Sequence, residues 1–437
     1  MLKIKNSETS ELVEINENKV SIYNCGPTVY NHVHIGNIRP AITFDVLYRL
    51  LKYTKHDVIY VHNITDIDDK IINRAIETKQ NELELSNYYY ETYLDLLNKM
   101  NILKMDVIPK VSENIEGIIN FVKTLVDKNN AYVVDGDVYF DINKIKNYGC
   151  VSHQNTENLL EGVRKEVDTK KHNPLDFVLW KKTEIGINWK SPWNDHGRPG
   201  WHTECVYLIN KFIGKQVTIH GGGVDLKFPH HENENAQNEA FNNMPLAKCW
   251  MHVGHINING QKMSKSLNNF ILAKDILEQY DHNVIRWFFF QTKYANPLNY
   301  SKENMDSSKN DINKIFNSLN LAYINLHKNG ININATANID DFINVIENDL
   351  DLPNSVKIVW EKVKLLSTLA NKKQWNDLSQ VVVDINEIFK VLGLTYSNPL
   401  NDQETLALVD RWNQAVKEKN YSLADEYRKQ LIDKKII

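Results

Sequence analysis

The chain has 437 residues, of which 42% are hydrophobic and 24% are charged, and its formal net charge is −4. This composition is typical of a globular protein, and the length predicts about two to four domains. No apolar run approaches the roughly 18–20 residues that cross a bilayer, and the first residues lack the apolar core of a signal peptide. The four cysteines are irregularly spaced, which argues against a disulfide framework and favours a cytoplasmic protein.

In chain order, the first predicted elements alternate between strand and helix. Residues 19–24, KVSIYN, predict a strand, and the helical spacing of residues 40–51 starts at a proline, which suits a first helical turn. Residues 57–63, DVIYVHN, predict a second strand, and TDIDDKIINRA opens a helix with Thr65 or Asp66 as its cap. This alternation indicates a parallel α/β unit.

The middle of the chain predicts two helices, a hairpin and a long irregular segment. Residues 86–103 and 114–128 show helical periodicity, and AYVVDGDVYFDI predicts a hairpin that turns at Asp135-Gly136. Residues 150–199 are polar and read as irregular. QVTIHGGG and CWMHVGHINI then predict strands on either side of the helix HHENENAQNEAFNN. The sequence therefore predicts a doubly wound parallel α/β sheet whose two halves flank an insertion.

After about residue 300 the pattern is helical to the end. Breaks are predicted at NGININATAN, DLDLPN and LTYSNPLND, which are rich in glycine, proline, asparagine and aspartate. The sequence therefore predicts an all-α C-terminal region after the α/β part.

The first candidate site is the loop CGPTVYNHVHIGN, residues 25–37. It lies between a predicted strand and helix, which is where an open α/β sheet binds nucleotides. Gly36 lets the backbone approach a ligand closely, and His32 and His34 offer donors to charge that develops on phosphorus. Taken alone, the stretch fits a surface loop with incidental histidines at least as well.

The second candidate site is KMSKS, residues 262–266, on a glycine-led loop after a strand. Lys262 and Lys265, with Ser264 and Ser266 beside them, predict a cationic clamp that closes over ATP and stabilises charge on its phosphates. Taken alone, a solvated basic turn explains the same residues equally well.

The third candidate is a metal site. Cys25 opens the first loop, Cys205 lies in GRPGWHTECV, and His230 and Glu234, four apart, share one face of a helix. Two thiols, an imidazole and a carboxylate favour zinc over calcium or magnesium, which prefer oxygen ligands. The spacing is too long to identify a zinc motif by itself, so two buried cysteines near a charged helix start remain the alternative.

Together, the two loops resemble the paired signatures of the class I aminoacyl-tRNA synthetases. The motifs CGPTVY, GWHTEC and GGVDLKFPHHENE are, in combination, similar to those of the cysteinyl-tRNA synthetase family, and the resemblance runs from about residue 19 to 300. It implies a Rossmann-type catalytic domain and one Zn²⁺ that coordinates the substrate thiolate. The implied zinc ligands are Cys25, Cys205, His230 and Glu234. The first loop departs from the family at Asn37, where the pattern has histidine, and an amide carries no positive charge.

The resemblance also implies roles for other residues. The expected catalytic residues are His34, Asn37, Lys262 and Lys265. The expected ATP-binding residues are His34, Gly36, Asn37, Lys262, Ser264, Lys265 and Ser266, with Mg²⁺ accompanying the ATP. The expected contacts to substrate cysteine are Gly26, Thr65, Trp201 and Asp225, with core packing as the alternative for Trp201. No role is assigned to His202 and Glu204, and Cys150 and Cys249 are expected to be idle thiols.

The implied organisation has five parts. Residues 1–95 form the first half of the catalytic domain, 96–200 a connective insertion that binds the acceptor end, 201–255 the second half, 256–305 the KMSKS loop and stem-contact region, and 306–437 a helical bundle with a shortened anticodon-side region. In the insertion, one set of basic residues is either a phosphate contact or a solvated face: Arg164, Lys165, Lys170, Lys171, Lys181 and Lys182. A monomer is expected.

The leading interpretation is ATP-dependent ligation of L-cysteine to tRNA(Cys) through an enzyme-bound cysteinyl-adenylate. Shape alone separates amino acids that differ by one small group by only about 10–200-fold, whereas zinc strongly prefers a thiolate to a hydroxyl. One alternative is a cysteine-activating ligase with a small-molecule amine acceptor, against which the C-terminal helices argue. Another is a non-catalytic zinc- and RNA-binding relative, against which the intact KMSKS loop and metal set argue.

Overall fold

The structure is a computed structural model that describes residues 1–154, 170–263 and 269–437, with only the backbone of Lys262. The described residues divide into two compact units, Met1–Ile276 with Tyr294–Leu298, and Leu277–Lys293 with Asn299–Ile437. None of the described helices is long and apolar enough to cross a membrane.

The strands are β1 (Lys3–Lys5), β2 (Leu12–Glu14), β3 (Lys19–Asn24), β4 (Asp57–His62), β5 (Ala131–Val134), β6 (Asp137–Phe140), β7 (Phe177–Lys182), β8 (Gly197–Pro199), β9 (Val217–Gly223), β10 (Ala247–Val253), β11 (Ile256–Ile258), β12 (Gln261–Lys262) and β13 (Leu298–Tyr300). The helices are α1 (Ile35–Tyr53), α2 (Asp69–Thr78), α3 (Glu82–Lys99), α4 (Ile115–Asp127), α5 (Trp201–Phe212), α6 (Glu232–Asn242), α7 (Ala273–Leu277), α8 (His282–Phe290), α9 (Lys302–Lys328), α10 (Asp340–Ile346), α11 (Leu352–Asn371), α12 (Trp375–Leu392), α13 (Gln403–Lys417) and α14 (Tyr421–Asp433).

The first unit is organised around a parallel sheet in the order β10-β9-β3-β4. β3, β9 and β10 carry mostly buried residues, as strands covered on both faces must, and β4, at the edge of the sheet, has three buried residues of six. The insertion, from α4 to β8, separates β4 from β9 in the chain. The predicted α/β class, a doubly wound parallel sheet with an inserted segment followed by helices, is therefore confirmed.

The prediction of a single strand for CWMHVGHINI is wrong, because the chain leaves the sheet at Gly254. The buried guanidinium of Arg39 donates to the carbonyl oxygens of Gly254 at 2.8 Å and His255 at 3.2 Å. These carbonyls are thereby engaged by a side chain, and β11 starts separately at Ile256.

The insertion contains an antiparallel sheet in the order β5-β6-β7-β8. The predicted hairpin is confirmed, with Asp135 and Gly136 at φ values of 52° and 91°, which a tight two-residue turn requires. The irregular reading of residues 150–199 is wrong where β7 and β8 lie. β7 ends in two exposed lysines, and β8 has only three residues, so neither shows the alternation that identifies a strand.

Three predicted helix starts are also wrong. The helix predicted at residues 86–103 begins four residues earlier, at Glu82. The helix after β3 begins at Ile35, with His34 as its cap, so Pro40 lies inside it. The cap of α2 is Asp68, whose carboxylate accepts from the N–H of Lys70 at 2.8 Å. Thr65 and Asp66 are buried and hydrogen-bonded elsewhere, which leaves neither side chain for the cap.

The second unit is helical in its described elements from α8 to α14, apart from the end of β13, and the predicted all-α C-terminal region is confirmed. The interruptions before α10, before α11 and after α12 fall at the predicted breaks. Two further breaks, at 372–374 and 418–420, were not predicted. The five-part domain division stays a prediction.

Candidate active site and metal centre

The structure brings the four predicted metal ligands together from separate elements. Cys25 follows β3, Cys205 lies in α5, and His230 and Glu234 flank the start of α6. One donor atom from each lies within 4.8 Å of every other. The Cys25 and Cys205 sulfurs are 3.7 Å apart, and the Cys205 sulfur is 3.6 Å from Nε2 of His230. The carboxyl ends of parallel strands thus collect groups that are distant in sequence.

Burial and mutual contact shift the titration of this cluster. Burial opposes a charged Glu234, but His230 at 2.8 Å and His220 at 2.6 Å hold the pKa of its carboxyl well below the usual range. Burial likewise disfavours a charged His230, but Glu234 raises the pKa of this imidazole to about 10. The two groups therefore form a buried ion pair.

The two thiols of the cluster differ. Burial raises the pKa of Cys25, and contacts with Cys205 and Glu234 raise it further. Burial would also raise the pKa of Cys205, but hydrogen bonds from Cys25 and His230 lower it to about 7. Cys205 is therefore the more readily ionised thiol.

A second set of imidazoles surrounds the cluster, and the sequence analysis missed it. His231 places Nε2 3.4 Å from the Cys25 sulfur, and His220 contacts Glu234, so Cys25, His220, His231 and Glu234 form an overlapping group of potential ligands. His231 also shares a 2.7 Å hydrogen bond with His252. The only sequence signals were a histidine within each of the predicted strands QVTIHGGG and CWMHVGHINI and a second histidine next to His230, none of which alone indicates a ligand.

Of the residues predicted to contact cysteine, Trp201 contacts the cluster, whereas Thr65 contacts Glu204 and Asp225 is exposed. The indole of Trp201 stacks on His230, with ring centroids 4.1 Å apart. Thr65 donates to Oε2 of Glu204 at 2.9 Å, and both side chains are buried. Asp225 is exposed, in a short turn after β9, outside the buried cluster.

Gly26 is required by close packing. A Cβ there would lie 1.6 Å from the carbonyl oxygen of Asn63, and the Gly26 N–H donates to Oδ1 of Asn63 at 3.0 Å. This contact holds the loop after β3 against the loop after β4. It also explains a glycine directly beside Cys25.

Glu204 was left without a role by the sequence, and the structure places it in the site wall. It is 1% exposed, and burial raises the pKa of its carboxyl well above the usual range. Its hydrogen bond from Thr65 connects α5 to the segment between β4 and α2. His202 also lies near the cluster, with Nδ1 3.2 Å from Nδ1 of His230.

The last three residues of the first candidate loop, 35–37, form the start of α1. The N–H of His34 donates to Oδ1 of Asn37 at 3.2 Å, so the side chain of Asn37, in the first turn of α1, reaches back to the capping residue. A Cβ at Gly36 would lie 2.9 Å from both the His34 ring and the Met263 side chain. His32 lies against Tyr88 and Tyr89, with ring centroids 6.3 and 5.3 Å away.

The second candidate loop, residues 262–266, is only partly described. The backbone of Lys262 pairs with Asn257 in the β11–β12 hairpin. The predicted ATP-binding residues Ser264, Lys265 and Ser266 lie outside the described residues.

The candidate basic residues of the insertion have different surroundings: two form ion pairs, one lines a cavity, and two lie outside the described residues. Lys170 pairs with Asp135 and Asp137 at 3.4 and 3.5 Å, and Lys181 pairs with Asp69 at 3.2 Å. Lys171 lines a cavity beside Trp201. Arg164 and Lys165 lie outside the described part of the chain.

Comparison with known proteins agrees with this fold. The family model described as "tRNA synthetases class I (C) catalytic domain" matches residues 11–310. A methionyl-tRNA synthetase of Mycobacterium tuberculosis, solved in complex with methionyl-adenylate, is similar in fold, with a TM-score of 0.62 and 12% identity over 86% of this chain and 89% of that chain. The fold and the matched domain define a class I aminoacyl-tRNA synthetase.

Relatives of higher identity narrow the class. The chain is 49% identical to a cysteine–tRNA ligase of Malacoplasma penetrans, over 99% of this chain and 98% of the relative. It is also 49% identical to a cysteine–tRNA ligase of Ureaplasma parvum, over 99% of both chains. The chain belongs to the cysteinyl-tRNA synthetase family.

Proposed function

We propose that the protein is a cysteine–tRNA ligase, which activates L-cysteine with ATP and transfers it to tRNA(Cys) through a cysteinyl-adenylate. The observation that carries the proposal is the convergence of Cys25, Cys205, His230 and Glu234 in one buried cluster. The full-length similarity to proteins named cysteine–tRNA ligase supports it.

The donor set fits a zinc ion. With Zn–S bonds of about 2.3 Å, a tetrahedral ion holds two sulfurs about 3.8 Å apart, and the Cys25 and Cys205 sulfurs are 3.7 Å apart. The buried thiols and imidazole are the ligand types that zinc prefers. When bound, zinc supplies a soft Lewis acid that favours a thiolate over the hydroxyl of serine.

Glu234 is the weakest member of this donor set. Its two carboxylate oxygens already contact His230 and His220, at 2.8 and 2.6 Å, so its negative charge is shared. A weak fourth ligand leaves capacity for the thiolate of the substrate, which a closed structural site lacks. Trp201, stacked on His230, then forms a wall of the amino-acid pocket.

At the nucleotide end, the start of α1 offers backbone N–H groups to the ATP phosphates. His34, Gly36 and Asn37 position this helix start, with Mg²⁺ accompanying the ATP. Lys262 and Lys265, with the serines of the KMSKS loop, supply charge that stabilises the transition state of adenylate formation.

The other substrate contacts are part of the same proposal. Gly26 and Thr65 line the cysteine pocket, and Asp225 pairs with the α-ammonium group. The enzyme acts as a cytoplasmic monomer.

The test is metal content measured together with cysteine-dependent exchange of pyrophosphate into ATP. The native protein is expected to hold one zinc per chain and to activate cysteine but not serine. Removal of the metal should abolish activation, and added zinc should restore it. Undiminished activation with undiminished rejection of serine by the metal-free protein would overturn the proposal.

A further inference from the structure

A cavity of about 260 Å³ lies where the insertion meets the catalytic sheet. The ends of β7 and β8, the start of α2 and the start of α5 form its walls. Trp201 and Glu204 line one side, so the cavity adjoins the proposed cysteine pocket. None of its lining residues belongs to the nucleotide loop at 32–37 or to β12.

Arg198 is the buried cation of this cavity. The residue is 5% exposed, and its Nη2 pairs with Asp69. Its Nη1 is buried and has no hydrogen-bond partner among the described residues. A buried guanidinium nitrogen without an acceptor is costly, because desolvation is not repaid. An oxygen acceptor from a ligand would satisfy it.

The start of α5 provides a second, independent signal in the same cavity. Gly200 caps this twelve-residue helix without a side-chain hydrogen bond, so its first N–H groups have no side-chain acceptor. Helix N-termini of this kind bind anions. A Cβ at Gly200 would lie 2.0 Å from the carbonyl oxygen of Val178, so a larger capping side chain is excluded there.

The carboxylates around the cavity are already engaged. Asp68 caps α2, Asp69 pairs with both Arg198 and Lys181, and Glu204 accepts from Thr65. Lys171 also lies in the wall, and among the described lining residues Nη1 of Arg198 is the one buried side-chain atom without a hydrogen-bond partner.

We propose that this cavity binds the last phosphodiester of the tRNA acceptor end, with Arg198 and the start of α5 as its ligands. The proposal rests on the proposed function, since it names where the acceptor of that reaction sits. A phosphate at Arg198 places the terminal nucleoside beside Trp201, on the cysteine side of the site. The phosphates of ATP are the other source of the same chemistry, and the experiment separates the two.

The experiment measures cysteine transfer from preformed enzyme-bound adenylate to RNA in a single turnover. One RNA is unmodified, and the other carries an uncharged methylphosphonate at its last internucleotide linkage. Native protein, Arg198→Gln and the control Lys190→Gln are compared, since Lys190 is an exposed lysine of the same insertion that pairs with Asp195. Pyrophosphate exchange by each protein is the internal reference.

The methylphosphonate is expected to slow transfer by the native protein and by Lys190→Gln about tenfold or more, the size of a lost charge-assisted hydrogen bond. Arg198→Gln should transfer to both RNAs at one reduced rate, because its contact is already lost. This non-additivity identifies a direct contact.

Several results would overturn the proposal. If the native protein transfers cysteine equally fast to both RNAs, the proposal is overturned. This result needs no variant, so it stands even if Arg198→Gln fails to fold. Additive losses from the RNA and protein changes, or an Arg198→Gln defect confined to the KM for ATP, would also overturn it. Failure of the native protein to charge unmodified tRNA would instead reject the proposed function.

Discussion

The thiol side of the site and the proposed nucleotide side are built in opposite ways. On the thiol side, Cys25 and Glu234 are 209 positions apart in sequence, yet the sulfur and a carboxylate oxygen are 3.8 Å apart. On the nucleotide side, His34 and Asn37 lie within one helical turn and are joined by a backbone-to-side-chain hydrogen bond.

This difference predicts how each side responds to substitution. Buried side chains that hold one another make up the thiol side, so one change disturbs several partners. The nucleotide side presents the backbone of a helix start, which persists when a side chain is changed. Substitutions should therefore affect metal binding and cysteine selection on one side, and the rate of activation on the other.

The largest effect is expected from Cys205→Ser. Loss of a thiolate ligand should lower zinc affinity and cysteine activation by more than about a hundredfold, because even the partners of metal ligands contribute 10–100-fold. Zinc content and pyrophosphate exchange measure both. Cys150→Ser is the matched control, since this half-buried thiol lies outside the cluster. Normal kinetics for Cys205→Ser would contradict the metal role.

Lys265→Ala should affect the other side alone. Loss of one positioned cation is expected to slow adenylate formation by about a hundredfold or more, while cysteine binding and zinc content stay native. Rapid-quench measurement of adenylate formation, with calorimetric titration of cysteine, separates the two. Weakened cysteine binding at an unaltered rate of activation would remove the distinction between the two sides.

His220→Gln tests the support of a ligand rather than the ligand. His220 holds one oxygen of Glu234 at 2.6 Å, so its replacement should lower zinc affinity about 10–100-fold. Competition with a chromogenic chelator reports the affinity directly. His196→Gln is a control on an exposed histidine in the insertion. Equal zinc affinities for the native protein and His220→Gln would show that Glu234 needs no such support.

The smallest effect is expected from Asn37→Ala. Removal of the acceptor for the His34 N–H should lower the free energy of unfolding by about 1 kcal/mol, since the helix start loses one hydrogen bond. Denaturant titration of the native protein and the variant measures this loss. Asn37→Asp keeps an acceptor and should restore stability. If the aspartate variant is as unstable as the alanine variant, the capping role of Asn37 is wrong.

The sequence predicted β3, β4 and β9 well, because each carries β-branched residues that favour a strand. It predicted that the strand at β10 continues past Gly254, where the chain leaves the sheet. Helix starts were predicted less well. In TDIDD four neighbouring side chains can cap a helix, and tertiary contacts choose among them: Thr65 bonds to Glu204, Asp66 to Ser112, and Asp68 caps α2. Such long-range contacts leave no local signal.

The candidate site shows the same division. The resemblance to a family supplied Cys25, Cys205, His230 and Glu234, which the structure brings together, although spacing alone left them ambiguous. The supporting histidines His220 and His231 were missed because a histidine in a buried strand or helix start looks the same in sequence whether or not it contacts a ligand. Only the fold shows which partners it meets.

A single glycine joins the insertion to the helix that carries Cys205. β8 ends at Pro199 and α5 begins at Trp201, so the connection is one residue, Gly200, packed against the backbone of Val178. Because the connection is one residue long, the position of β8 fixes where α5 begins and therefore where Cys205 lies. We expect that the other loops of the insertion tolerate replacement or added residues. One added residue at this junction, in contrast, would turn Cys205 about 100° around the helix axis, away from Cys25.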